Sequence, residues 1–124
     1  MTILTWILVP LISFAFLFFS MVKIFGVPAS VYNMQKESYF DVYGVNRTQI
    51  RLIGLAELFG GVTIWLWATP FQWVAQIGLA TLIMVTIGAM YFHSRYDSLL
   101  DDGIGAVVQF GLSSAVLGLT LFFV

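Results

Sequence analysis

Four long apolar stretches restrict what this chain can fold into. They cover about residues 3–22, 48–68, 72–93 and 104–124 of the 124-residue sequence. Each is close to the roughly 20 residues that an α-helix needs to cross the hydrocarbon core of a bilayer. In lipid every backbone N–H and C=O must be bonded within its own segment, so each stretch is predicted to be a helix. The sequence therefore predicts an all-α membrane protein, a single domain in which four transmembrane helices form a bundle.

The composition agrees with a membrane protein and excludes several kinds of function. Charged residues make up 9% of the chain, against about 25% in soluble domains. There are no cysteines and one histidine, so the sequence offers no disulfide, no thiol chemistry and no metal site. It has no basic run that would bind nucleic acid. The first stretch lacks a preceding basic region and a small-residue cleavage site, so it is interpreted as a retained helix rather than a signal peptide.

The basic residues lie on one side of the predicted membrane. They occur in or beside the first and third connections: Lys23, Lys36, Arg47, Arg51 and Arg95. The positive-inside rule then places these connections in the cytoplasm and both termini outside. We expect the membrane to be a bacterial cytoplasmic membrane.

The first connection is long enough to hold a further helix. Pro28 suits the first turn of a helix, and Gly44 suits a helix end. We interpret Ala29–Val42 as an amphipathic interfacial segment between the first and second spans. Its tyrosines share one face and either rest at headgroup depth or border a ligand site: Tyr32, Tyr39 and Tyr43.

Caps are predicted at the starts of two spans. Asn46, with Gln49 three residues later, is typical of a capping box at the start of the second span. In the third connection, Asp101 or Asp102 is expected to cap the fourth span.

Small residues indicate which helix faces meet. Gly54 and Gly61 share one face of the second span with Glu57. Gly111 and Gly118 have the same seven-residue spacing in the fourth span. Because small residues let membrane helices approach closely, these glycines are predicted to lie in helix–helix contacts.

Glu57 is an acid near the middle of the second span, roughly 13 Å from the end that follows the first connection. An acid at that depth costs about 2.5–3.5 kcal/mol on insertion scales. The sequence places no Lys or Arg at the same depth, so we expect a protonated carboxyl that donates a hydrogen bond. It either carries a proton or anchors a ligand, or it forms an interhelical hydrogen bond that fixes packing. The polar residues expected near its depth are Ser13, Thr81, Thr86, Ser113 and Ser114, with Gln109 slightly nearer the cytoplasm.

His93 and Tyr91 lie at the end of the third span that meets the third connection. They are candidates either for the entrance to a ligand site or for ordinary boundary residues at the membrane surface. His93 is about 13 Å in depth from Glu57, too far for direct contact.

The order and spacing of several residues resemble the DoxX-like family. Tyr43-Gly44 precede the second span, GLAELFGG carries Glu57, and IGAMYFH ends at His93. The resemblance runs from the first span through the fourth. It implies a four-helix membrane bundle in which Glu57 matches the family's acid and His93 the histidine that ends the third span.

The resemblance also implies a range of activities. Some members are subunits of a thiosulfate:quinone oxidoreductase, others belong to membrane complexes that handle oxidative stress, and eukaryotic relatives resemble assembly chaperones or cargo receptors. We therefore expect a membrane subunit that binds a quinone or a lipid, rather than a self-sufficient enzyme with catalytic residues of its own. The alternatives are an accessory protein that packs against another membrane protein or itself, and a proton-coupled small-molecule transporter. The absence of cysteine argues against self-contained thiol redox chemistry.

A tag fused to the C-terminus is predicted to react with a membrane-impermeant label added to intact cells, because the charge pattern places that end outside. A tag inserted in the first connection is the control and should react only after the cells are opened. Labelling of the C-terminal tag from the cytoplasmic side alone would reverse the orientation.

Overall fold

The computed structural model of the protein describes residues 2–37, 44–96 and 103–122. These residues form five α-helices: α1 Thr2–Phe25, α2 Ala29–Glu37, α3 Arg47–Thr63, α4 Gln72–Tyr96 and α5 Ile104–Phe122. A 3₁₀ helix over Ile64–Ala68 continues α3. α1, α4, α5 and the continuous α3–3₁₀ segment are long and apolar enough to cross a membrane. The predicted all-α membrane bundle is therefore confirmed.

The four long helices form an antiparallel bundle in chain order. α1 packs against α3, α3 against α4, and α4 against α5, while α5 closes the ring against α1. The end that carries Lys23 and Arg47 is called the basic end. The opposite end holds the turn between the 3₁₀ helix and α4 and all four tryptophans, and it is called the tryptophan end.

The helices extend beyond the predicted spans at the basic end. α1 continues past Val22 to Phe25, and Pro10 lies inside it without ending it. α4 continues past His93 to Tyr96. Lys23 therefore lies on a helix rather than in a connection, and this changes which residues it can reach.

The predicted capping box at the start of α3 is confirmed. The Asn46 side chain accepts a hydrogen bond from the backbone N–H of Gln49 at 2.8 Å. The backbone N–H of Asn46 donates to the Gln49 side chain at 2.9 Å. Two of the N–H groups that a helix start leaves unpaired are satisfied in this way.

α2 begins at Ala29, directly after Pro28, as the sequence predicts. The described part of this helix ends at Glu37, and Gly44 has a φ of 72°, as expected of a residue that follows a helix. Several predicted features lie outside the described residues and stay predictions: Tyr39, Tyr43, Asp101 and Asp102.

The apolar core fills the tryptophan half of the bundle. Its largest member, Trp67, packs edge-on against Trp6 with the ring centroids 5.1 Å apart. Beside it, Trp65 Nε1 donates to Ser13 Oγ at 2.6 Å, and Ser13 Oγ donates to the carbonyl of Gly61 at 2.7 Å. The remaining core residues are Val9, Ile12, Phe16, Ile64, Ala75, Leu79, Leu82 and Val116. Ser13 thus lies nearer the tryptophan end than Glu57, and the expectation of a common depth is wrong.

Glycines bring α3 close to both of its neighbours. A Cβ placed on Gly54 would lie 2.9 Å from the Cβ of Lys23, and one on Gly61 would lie 3.1 Å from the side chain of Leu17. A Cβ on Gly60 would overlap a leucine of α4. Gly54 and Gly61 therefore lie where α3 touches α1, at a separation that a larger residue would not permit.

The glycines of α5 do not have this role. Among the described residues, no side-chain or neighbouring-helix atom lies within 4 Å of a Cβ placed on Gly111 or Gly118. Their predicted place in a helix–helix contact is wrong within this chain, because the seven-residue spacing marks a helix face without saying what covers it. The face of α5 that meets the rest of the bundle instead carries Ser113, Val116 and Leu119.

Gly54→Ala is expected to lower the free energy of unfolding by about 1–3 kcal/mol, the usual cost of overfilling a close contact. The new methyl group would press on Lys23 and on the backbone of α1. Unfolding of the purified protein in detergent measures the effect. Gly111→Ala is the matched control, since it adds the same methyl group to a transmembrane helix in open space. Equal stability of the two variants would contradict the close approach at Gly54.

Candidate functional site

Glu57 is buried inside the bundle and paired with a cation. Its side chain is 2% exposed, and its Oε1 lies 2.7 Å from the Nζ of Lys23 on α1. The expectation that no Lys or Arg lies at the depth of Glu57 is therefore wrong for the ammonium of Lys23. An acid that is buried beside an ammonium does not carry the full cost of an isolated charge in a low-dielectric interior.

The register of α1 against α3 explains how Lys23 reaches the acid. Gly54 lies against the Cβ of Lys23, so these two residues are level. Glu57 is three residues further along α3, about 4.5 Å deeper at 1.5 Å per residue. The flexible stem of a lysine spans that distance and carries its ammonium away from its own Cα. Because Gly54 has no side chain, there is space beside it for the first atoms of the Lys23 side chain.

One buried polar residue from each long helix lies near the depth of Glu57. These residues are at most 3% exposed, and we call them the polar layer: Ser20, Glu57, Thr86 and Ser113. Lys23 and Gly54 are level. Ser20 lies three residues before Lys23, and Glu57 lies three residues after Gly54. Because α1 and α3 are antiparallel, Ser20 and Glu57 are level as well. The polar layer borders the apolar core on the side of the basic end.

The other two members of the layer follow from the contacts of α4 and α5. Leu82 of α4 lies against Gly60, and Thr86 is one turn further toward the basic end. Val116 of α5 belongs to the apolar core with Leu82. Ser113 is one turn before Val116 and so is displaced toward the basic end like Thr86.

The hydroxyl groups of the layer differ in how they are satisfied. Ser20 donates to the carbonyl of Leu17 and Thr86 to that of Ile83, each at 2.7 Å and within its own helix. The Oγ of Ser113 is fully buried and has no hydrogen-bond partner within the described part of the chain. A buried hydroxyl without a partner is costly, and it calls for a water or a ligand.

Gln109 extends this unpartnered polar surface by one turn of α5. Its Oε1 is buried and has no partner among residues 2–37, 44–96 and 103–122. Residues four apart on a helix have Cβ atoms about 5–6 Å apart, so Gln109 and Ser113 form one strip. Ser114 is half-buried beside this strip. The Nε1 of Trp67 is also without a partner in the described structure, but it lies within the apolar core.

Packing around the polar layer is uneven. α1 and α3 stay in contact beyond it, where Val22, Ile50 and Gly54 are buried. By contrast, the described buried residues of α4 end at Thr86 and those of α5 begin at Ser113. We call residues 87–96 of α4 and 104–112 of α5 the open segment. The polar layer is closed by the core on one side and loosely covered by the open segment on the other.

His93 and Tyr91 lie on the open segment, away from Glu57. His93 is seven residues beyond Thr86, which is about 10 Å along the helix. It is half-buried, whereas Tyr91 is 56% exposed and packs edge-on against Phe92 with the ring centroids 5.7 Å apart. Neither residue joins the polar layer, so their candidate role is restricted to the entrance.

Sequence reasoning missed Lys23, which it treated as the end of a span. A long cationic side chain within one turn of a glycine-bearing face of the neighbouring helix is the signal that could have found it. In the described residues, no three His, Cys, Asp or Glu side chains cluster in a way that could hold a metal ion. The site is thus a buried ion pair beside unpartnered hydroxyl and amide groups.

Lys23→Met is expected to destabilise the protein more than Glu57→Gln does. Removing one partner of a buried ion pair typically costs about 3–5 kcal/mol, since the other is left uncompensated. The Lys23 side chain is 16% exposed, so without its partner its ammonium can turn to the surface, whereas the 2%-exposed carboxyl of Glu57 cannot. We expect Glu57→Gln to remain folded.

Free energies of unfolding in detergent, combined in a double-mutant cycle, test this prediction. The variant with both substitutions should recover most of the loss caused by Lys23→Met, because neither partner is left alone. Strictly additive losses would mean that the two side chains do not interact.

The comparisons with known proteins concern the whole bundle. The family model described as the DoxX-like family matches residues 7–117, from the first turns of α1 to the last turns of α5. Neither the curated proteins nor the solved structures gave a match. The matched range includes the polar layer, Lys23 and the open segment. The chain therefore belongs to the DoxX-like family.

Proposed function

We propose that the protein is a lipophile-binding subunit of a membrane oxidoreductase system, and that the polar layer receives the polar head of a quinone. The carrying observation is the unpartnered Oγ of Ser113, which is fully buried one turn from the unpartnered Oε1 of Gln109. Both groups lie at the border between a packed core and a loosely covered half of the bundle. A ligand head at this position would satisfy hydrogen bonds that the chain leaves unmade.

The chemistry of these groups suits a quinone head. A quinone carbonyl accepts hydrogen bonds, and the hydroxyl of Ser113 and the ammonium of Lys23 can donate them. A quinol hydroxyl donates, and the oxygens of Gln109 and Glu57 can accept. Glu57 Oε1 lies 2.7 Å from the Lys23 ammonium, and a carboxyl has further lone pairs that a ligand hydroxyl can use. The same atoms therefore suit either redox state.

The ion pair also allows a proton to move near the ligand head. Glu57 can give up or accept a proton while the ammonium of Lys23 stays beside it and offsets the changing charge. Such a pair in an apolar interior is the arrangement expected of a functional intramembrane acid. Electrons would come from a partner protein or a further cofactor, since the chain has no cysteine and one histidine.

Access fits the open segment. A lipophile that enters beside residues 87–96 and 104–112 meets His93 and Tyr91 first, then Gln109, then Ser113. By the positive-inside rule we expect this end to face the cytoplasm and the tryptophan end to face outside. The head would then lie in the cytoplasmic half of the membrane.

An accessory role is the second candidate, and one observation favours it. Gly111, Ala115 and Gly118 form a small-residue face of α5, and no described atom of a neighbouring helix lies within 4 Å of a Cβ placed on either glycine. Small residues on membrane helices often mark contacts with another protein. In this role Glu57 and Lys23 would hold α1 to α3.

Native mass spectrometry with organic extraction of the gently purified protein tests the proposal. We expect a bound quinone or similar lipophile in the wild type, and its loss in Glu57→Ala and Ser113→Ala, because both changes remove polar groups that meet the head. Thr120→Ala is the control. Thr120 is a buried hydroxyl of the same helix, and it is satisfied by the carbonyl of Leu117 at 2.9 Å.

The outcomes separate the two candidate functions. A lipophile that is lost from both site variants but kept in Thr120→Ala supports the ligand site. A bundle without lipophile in every sample contradicts it. A membrane protein that co-purifies in place of a lipophile, and is lost on Gly111→Leu, favours the accessory role.

A further inference from the structure

Arg47 makes three contacts that meet at the end of α1. Its Nη1 donates to the carbonyl of Lys23 at 2.8 Å, and its Nη2 donates to the carbonyl of Ile24 at 3.1 Å. Its guanidinium carbon lies 4.8 Å from the centroid of the Tyr32 ring on α2. One side chain of α3 therefore binds α1 and α2 at the same point.

These contacts complete the C-terminal end of α1. The last four carbonyls of a helix have no partner within the helix. Gly26, at a φ of 70°, ends α1 and donates its N–H to the carbonyl of Val22 at 3.0 Å. Arg47 satisfies the next two carbonyls, those of Lys23 and Ile24. A cation here is also favoured by the negative end of the helix dipole.

The position of Lys23 is thereby fixed from two sides. Arg47 holds its carbonyl, and the close approach of Gly54 holds its Cβ. A lysine stem that starts from a fixed backbone points in a limited set of directions, and one of them ends 2.7 Å from Glu57 Oε1. Arg47 does not touch Glu57 itself and acts through the backbone of Lys23.

The third contact extends this arrangement to α2. Tyr32 is the residue of α2 beneath the guanidinium, and a Cβ placed on Gly26 would lie 3.5 Å from its ring. The ring therefore fills the space between the end of α1 and Arg47. If α2 shifts along the membrane surface, the guanidinium of Arg47 loses its contact with the Tyr32 ring.

We propose that Arg47 is a positioning residue for the Lys23–Glu57 ion pair and joins that pair to the interfacial helix α2. If α2 is displaced, or the paired N–H donors of Arg47 are removed, the last turn of α1 is no longer held in place and Lys23 moves away from Glu57. The inference rests on the proposed function only in that the pair borders the ligand head, and its test needs no ligand.

The test measures the distance between Lys23 and Glu57 directly. The chain has two lysines, Lys23 and Lys36, and two glutamates, Glu37 and Glu57. In a Lys36→Gln background, ¹⁵Nζ-lysine labels Lys23 alone, and ¹³Cδ-glutamate labels the acids. Rotational-echo double-resonance NMR of the protein in lipid bilayers then reports the dipolar coupling across the pair. Glu57→Gln, which is not ¹³C-labelled, identifies the part of the signal due to Glu57.

We expect Arg47→Gln to reduce this coupling by more than half and Arg51→Gln to leave it unchanged. Arg51 is the matched control, because it is a basic residue one turn further along α3 and is exposed. Arg47→Lys is expected to weaken the coupling as well, since a single ammonium cannot reproduce the paired donors of a guanidinium. Tyr32→Leu is expected to reduce the coupling through the loss of the ring contact.

A reporter in the other half of the bundle separates positioning from unfolding. The indole ¹⁵N resonance of Trp65, which donates to Ser13, should be the same in every variant if the fold is intact. If Arg47→Gln changes that resonance, the coupling measured in the milder variant Arg47→Lys tests the proposal instead. An unchanged coupling in the folded Arg47 variants, or an equal loss in Arg51→Gln, overturns the proposal. An unchanged coupling in Tyr32→Leu overturns the link to α2.

The ligand experiment fails independently of this one. If no lipophile is bound but the Lys23–Glu57 coupling depends on Arg47, the proposed function is contradicted and the positioning role of Arg47 stands. If a lipophile is bound but the Lys23–Glu57 coupling does not change in the Arg47 variants, the proposed function is supported and the positioning role is contradicted.

Discussion

The burial of Glu57 beside Lys23 is the constraint that best explains how the helices of this bundle are arranged. An acid in the middle of a membrane span is tolerated when it faces the protein interior and has a partner. The partner must come from another helix, because nothing on α3 near Glu57 is cationic. The pair can form only if this face of α3 turns toward α1, at the register that the close approach of Gly54 to Lys23 also shows.

Glycines allow the helices to approach as closely as the Lys23–Glu57 pair requires, and they join different helices in the two halves of the bundle. At the basic end, Gly54 allows α1 and α3 to touch where Lys23 begins. In the tryptophan half, Gly60 and Gly78 let α3 and α4 approach each other. Along the open segment, the glycines Gly88, Gly105 and Gly111 have no neighbouring-helix atom within 4 Å of an added Cβ among the described residues. On the basic side of the polar layer, α1 and α3 are therefore joined by a close glycine contact, whereas the described residues of α4 and α5 there are at most half-buried.

Hydropathy and local patterns were sufficient for much of this fold. The four spans follow from the length of the apolar stretches, and the capping box at Asn46 involves residues three apart. The inward orientation of Glu57 follows from the small residues on its own face. The partnership with Lys23 could not be predicted in the same way, because it depends on the register between two helices and on a flexible side chain.

The same limit applies to α5. The spacing of Gly111 and Gly118 defines a face but does not say whether that face turns inward. The unpartnered state of Ser113 cannot be predicted from its position either, since whether a hydroxyl finds an acceptor is decided by neighbouring helices and by its own backbone. Ser20 and Thr86 bond within their helices, and Ser113 does not, although all are buried at similar depth.

The order of the partners along the chain has a consequence for biosynthesis. The α3 span has a mean hydropathy of 1.4, the lowest of the four, against 2.3 for the span of α1. α1 is made first and carries Lys23 to the membrane surface before Glu57 leaves the ribosome. We therefore expect the least apolar span to find its counter-ion already on a neighbouring helix when it enters the membrane.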